Sequence, residues 1–138
     1  DLATVPMRLV EPTKSNGQLG VAELLARPRP PTALIIGGGA LSIGAAQEVR
    51  ERGIRVPAEL SLVVYGDPSW FVLSDPPLTR ITVSYEDLAR RAARLLVGRL
   101  EGRLRAEGDD ADVQFVPAEL YLGGSTAAPG AVSGRNGV

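Results

Sequence analysis

The stretch Pro31-Thr32-Ala33-Leu34-Ile35-Ile36-Gly37-Gly38-Gly39 decides the fold. An apolar run breaks at three glycines, and a helical pattern follows from Ala40 to Arg52 and stops at Gly53. A second apolar run, Leu60-Ser61-Leu62-Val63-Val64-Tyr65, breaks at Gly66-Asp67-Pro68. Strand, glycine turn, helix, glycine stop, strand is the pattern of a βαβ unit. Such a unit sets parallel strands side by side, with the binding crevice outside their carboxyl ends. Here those ends are Gly37–Gly39 and Gly66–Asp67.

Composition narrows the class. The chain has 138 residues, the size of one domain, and 44% of them are apolar, enough for a core. Net charge is −1, so global electrostatics make no case for nucleic-acid or membrane binding. No apolar run approaches the roughly 18 residues of a membrane span, and no secretory leader is present. Asp1 is not a natural start, so the chain is expected to be a piece of a longer one. Cysteine and histidine are both absent. That removes disulfides, thiol catalysis, Cys-zinc sites, Ser-His-Asp hydrolysis and the commonest general base and metal ligand. The balance favours a binding module over an enzyme, with no cofactor implied.

Outward from the central stretch, Val5-Pro6-Met7-Arg8-Leu9-Val10 reads as an edge strand, because Pro6 cannot donate to a ladder. Leu19, Ala22, Leu25 and Ala26 recur at helical spacing, predicting a helix over Asn16–Ala26 capped by Ser15 or Asn16. Thr32–Ile36 has no polar face, which predicts a strand covered on both sides. The helix after the glycines turns Leu41, Ala45 and Val49 to the sheet, with Gly44 and Ala46 alongside. Gly53 suits a left-handed C′ position, with Pro57 beyond it. The Trp70-Phe71-Val72-Leu73 cluster reads as core packing under a loop, a subunit interface or a cleft wall. Ser84 caps a further helix, with Asp87 in capping-box-like spacing. Its apolar stripe is Leu88, Ala92, Leu95, Leu96 and Leu100. Arg90, Arg91, Arg94 and Arg99 sit mostly opposite and read as a solvated face. Val113–Val116 and Glu119–Leu122 read as a last strand broken by Pro117, and 128–138 as a flexible tail.

The glycine triplet admits two readings. It can hold an anion at a helix N-terminus, as Gly37-x-Gly39-x-x-Ser42 approaches a dinucleotide fingerprint with Asp67 as ribose ligand. It can equally serve only to make a tight turn. The third glycine of the fingerprint is missing, and Asp67 lies farther on than the usual acid.

Taken in order, Pro31-Thr32-Ala33, the helix with Gly44 and Gly53, Val56-Pro57-Ala58-Glu59-Leu60-Ser61-Leu62-Val63-Val64-Tyr65-Gly66-Asp67 and Asp75-Pro76-Pro77-Leu78-Thr79-Arg80-Ile81 resemble the LacI/GalR family of bacterial transcriptional regulators. Leu120-Tyr121-Leu122-Gly123-Gly124-Ser125-Thr126 is similar to that family's closing segment. The resemblance covers residues 5–127 and is to the C-terminal part of the effector-binding, periplasmic-binding-protein-like core. It implies an α/β fold, a mostly parallel sheet with flanking helices forming part of a type I lobe. Residues 84–101 form a helix that belongs, in the family, to the other lobe. The resemblance implies a cytoplasmic homodimer that binds a small-molecule effector, sugar-like or other, and meets DNA only through a head missing from this chain. Isolated from its lobe, the leucine stripe is expected to be covered by a second copy or to pack back elsewhere.

By this resemblance Glu11, Thr13, Gly38, Gly39, Gly66, Asp67 and Trp70 line the ligand cleft. Three departures stand out: the family commonly has Asn-Asp at Gly38-Gly39, Asp at Gly66 and Arg at Gly123. Rival readings with the same strands are a periplasmic sugar-binding protein of a transporter and a nucleotide-binding α/β enzyme.

Overall fold

A computed structural model describes residues 5–66, 71, 73–103 and 114–128. The elements in chain order are α1 (Lys14–Leu25), β1 (Ala33–Gly37), α2 (Gly39–Glu51), β2 (Ser61–Tyr65), β3 (Thr79–Val83), α3 (Tyr85–Leu100) and β4 (Ala118–Tyr121). The strands form one sheet in the order β1-β2-β3-β4. β1 pairs parallel with β2, Ala33 opposite Ser61 through Gly37 opposite Tyr65. β2 pairs parallel with β3, Val63 opposite Thr79 through Tyr65 opposite Ile81. The expected βαβ unit is therefore present, and it is extended by β3. The chain divides into two compact units, 1–81 with 120–138, and 82–119.

In the first unit the sheet face carrying Leu34, Leu62 and Val64 is buried with Ala45 and Val49 of α2, Val21 and Leu25 of α1, and Phe71. Each large apolar side chain buried there stabilises the unit by about 1.5–3 kcal/mol. Phe71 is fully buried, so the aromatic cluster is core at that residue. Trp70 lies outside the described residues, and Leu73 is 84% exposed.

The opposite face differs from expectation. Ile35 is 75% exposed, so β1 is covered on one side only. A continuous apolar strand signals two covered faces, but the layer that the described residues supply, α2 with α1, lies on the Leu34 face. Val5–Val10 is not a strand either: it pairs with no described strand, and its hydrophobic side chains are exposed. The last strand is confined to β4; residues 114–116 before Pro117 are irregular. Residues 129–138 of the expected tail lie outside the described residues.

α1 begins earlier than its hydrophobic spacing suggests. Its cap is Thr13, whose hydroxyl accepts from the Asn16 N–H at 3.2 Å. Gly17 of α1 and Gly44 of α2 lie in the contact between the two helices rather than against the sheet. A Cβ on Gly44 would lie 1.9 Å from the Lys14 carbonyl oxygen, and one on Gly17 2.2 Å from that of Leu41. The small residues thus serve the contact between the two helices. α2 ends as expected, with Gly53 at φ 65°.

The segment Gly123–Ala127 closes the unit as a strap across the starts of β2 and β3. Ser125 is completely buried. Its hydroxyl donates to the Leu62 carbonyl at 2.6 Å and accepts from the Thr79 N–H at 2.7 Å, while its own carbonyl accepts from the Leu62 N–H at 2.8 Å. The Gly123 N–H donates to the Thr79 hydroxyl at 3.1 Å and the Gly124 N–H to the Pro77 carbonyl at 2.8 Å. Nearby, the Arg80 guanidinium lies 4.5 Å from the centre of the Tyr121 ring, a cation–π contact.

The second unit contains α3, capped as the sequence indicates: the Ser84 hydroxyl accepts from the Asp87 N–H at 3.1 Å. Its leucine stripe does not pack back. Leu88, Leu96 and Leu100 are 46%, 60% and 78% exposed.

Candidate functional site

The parallel register brings two chain exits together. Gly37 lies opposite Tyr65, so Gly38 and Gly66 leave adjacent strands at the same carboxyl edge. Gly38 adopts φ 138° and ψ 144°, a conformation open essentially to glycine alone. Its carbonyl is held from below by Ser42, which donates its backbone N–H at 2.9 Å and its hydroxyl at 2.7 Å. Gly66, at φ 120°, donates its N–H to the Ile81 carbonyl at 2.9 Å. The exits are fixed in place, and among the described residues the Gly37–Gly38 turn has open space beside it. A Cβ on Gly37 would meet nothing within 4 Å, and one on Gly38 would meet only Leu41 Cδ1, at 3.8 Å.

Two helix starts stand beside this edge. Gly39 opens α2 directly after the turn. The start of α1 packs on the first turns of α2, through Gly17 against Leu41 and Gly44 against Lys14. Thr13 and Glu11 precede α1. The Glu11 carbonyl accepts from the Thr13 N–H at 2.7 Å and from the Asn16 side-chain amide at 3.1 Å, which fixes the backbone and leaves the Glu11 side chain exposed. The Thr13 hydroxyl, already an acceptor in the cap, retains its proton to donate.

Of the sequence-predicted site residues, Gly38, Gly39 and Gly66 therefore share one edge, and Glu11 and Thr13 lead into the helix packed beside it. Asp67 and Trp70 lie outside the described residues. Two further residues belong to this edge: Ser42, which the sequence offers only as the end of a loose dinucleotide-like pattern, and Tyr65, which strand and glycine patterns do not assign to the site. Ser42, fully buried, anchors the glycine turn; its signal is a lone hydroxyl on an otherwise apolar helix face. Tyr65, 40% exposed at the end of β2, stands opposite Gly37; its signal is an aromatic directly before a strand-ending glycine.

Among the described residues the edge offers backbone N–H and carbonyl groups and the Tyr65 ring, with the Thr13 hydroxyl and the Glu11 carboxylate on the segment leading into α1. Among the described residues no group of three or more acidic, histidine or cysteine side chains could hold a metal ion. Nor is any described helix long and apolar enough to cross a membrane.

Residues 2–126 match the family model described as a periplasmic binding protein-like domain. The HTH-type transcriptional repressor CytR of Escherichia coli is 30% identical over 116 residues, 84% of this chain and 33% of the repressor. The chain thus spans about a third of the length of that curated relative. Among solved structures, a LacI family transcriptional regulator from Bifidobacterium animalis subsp. lactis superposes with a TM-score of 0.67 at 29% identity, over 83% of this chain and 41% of that one. The lac repressor dimer, solved bound to operator and the anti-inducer ONPF, gives a TM-score of 0.70 at 25% identity, over 84% of this chain and 39% of that one.

Proposed function

This chain belongs to the periplasmic binding protein-like family, in the form that LacI-type transcriptional regulators carry, and from that premise we propose that it is the effector-sensing and dimerisation part of such a regulator. The observation that supports this best is the shared carboxyl edge of β1 and β2, where two glycine exits are held side by side and the Gly37–Gly38 turn borders open space. Ligands of open α/β sheets bind at such edges. The regulator acts in the cytoplasm as a homodimer and touches DNA through a head outside this chain. It performs no chemistry.

The effector is a small molecule held largely by backbone at positions 38, 39 and 66. A site without side-chain donors and acceptors there discriminates poorly among polyols. Contact instead falls to Tyr65, the Thr13 hydroxyl and the Glu11 carboxylate. Residues 84–101 belong to the other lobe, so effector binding that draws the lobes together moves α3 and with it the spacing of the heads on DNA.

The test is a thermal-shift screen of the full-length protein against sugars, nucleosides and aromatic glycosides. A binder at about a hundredfold its dissociation constant adds about 2.7 kcal/mol of stability. The same ligand should change the protein's retention of DNA from its own promoter region. A full-length protein that neither retains such DNA nor carries a DNA-binding head defeats the proposal.

A further inference from the structure

The class of effector follows from the sheet face at the carboxyl edge, provided the effector-sensing reading above holds. Residues paired in register project to the same face of a sheet, and alternate residues along a strand share it. Gly37 and Tyr65 are such a pair, and Ile35 opposite Val63 lies on the same face. It is the face away from the Leu34 core, and on it Ile35 is 75% and Tyr65 40% exposed. An aromatic ring opposite a glycine on a neighbouring strand commonly folds over it, covering glycine and ring together. Tyr65 does not do so. Among the described residues, a Cβ on Gly37 would meet nothing within 4 Å beyond its chain neighbours. The place of a cross-strand partner is therefore open, with Tyr65 beside it and Ile35 before it on the same strand.

We infer that the effector carries a flat aromatic ring, and that this ring lies over Gly37 against Tyr65. Aromatic rings gain from offset or edge-on stacking beyond the area they bury, and a tyrosine has few torsions to immobilise. A bare polyol presents no such surface. Positions 38, 39 and 66 are all glycine, so they supply no side chain to sort its hydroxyl groups. The ring provides the discrimination that those glycines do not. The same chemistry is offered by two sources, an aryl glycoside and a nucleoside, and both place the ring on one end of a polar sugar. That leaves the sugar to extend past the strand ends, where the backbone of the glycine exits is found.

The test is isothermal titration of the full-length protein with matched pairs of probes. One arm sets p-nitrophenyl glucoside and galactoside against their methyl glycosides; the other sets adenosine and uridine against ribose. In at least one pair the ring-bearing member should bind about tenfold or more tightly than its partner. Tyr65→Ala should abolish that preference and Tyr65→Phe should keep it. Gly37→Val, which alters no aromatic residue, should weaken the ring-bearing member about tenfold by filling the open place. Both positions are exposed, so circular dichroism should report an unchanged fold in each variant. Equal binding within every pair overturns the inference, as does a preference undiminished in either folded variant or a panel in which nothing binds. Retention of promoter DNA by the same protein separates the two readings: where it persists, the regulator reading survives the loss of the ring.

Discussion

Two pairs of glycines do opposite things in this molecule. Gly37 and Gly38 border open space, while Gly123 and Gly124 are wedged against the Pro76–Leu78 turn. A Cβ on Gly123 would come 2.2 Å from the Pro77 carbonyl oxygen, and one on Gly124 2.8 Å from Pro76 Cβ; at Gly37 it would touch nothing. In sequence the two pairs look alike. Each follows an apolar run, and each holds a position where the LacI/GalR pattern commonly carries a polar side chain. The first pair has open space beside it, where the proposed site lies. The second is a packing requirement of the strap that ties β2 to β3.

Substitutions separate the two roles. Gly123→Arg should be the most damaging change, at about 3 kcal/mol, because its Cβ collides with backbone that cannot turn aside. Urea denaturation of Gly123→Arg that matches wild type would show the strap to be loosely seated. Ser125→Ala comes next in the same measurement, at about 1–3 kcal/mol, since it strands the buried Thr79 N–H and removes a donor from the Leu62 carbonyl. Restoration by Ser125→Thr is not expected, as Ser125 has no exposed surface to accommodate a methyl group. Thr13→Ala should lower stability by about 1 kcal/mol through loss of the α1 cap. Gly37→Ala should be smallest, within about 0.5 kcal/mol of wild type, yet it should alter effector affinity in a titration because it adds a methyl group to the open space beside Gly38.

The βαβ unit is legible in the sequence because apolar runs, glycine breaks and the Gly53 stop all agree. The cap of α3 is legible for the same reason: Ser84 and Asp87 stand at the spacing that capping needs. The exposure of Ile35 is not legible, since an apolar strand records which faces its fold covers, and the described residues supply only one covering layer. Thr13 escapes notice as a cap because hydrophobic spacing marks where a helix is buried, not where its first turn starts. At the candidate site, the positions of Gly38, Gly39 and Gly66 follow from strand ends alone. The contrasting roles of the two glycine pairs do not, because a glycine's neighbours across space leave no trace in its own stretch of sequence.

The most direct test of the proposed site is hydrogen exchange on the full-length protein, with and without a ligand from the thermal-shift screen. Slower exchange at the amides of Gly38 through Ser42 and at Gly66 is the predicted result. Protection confined to other segments, with those amides unchanged, would contradict the account.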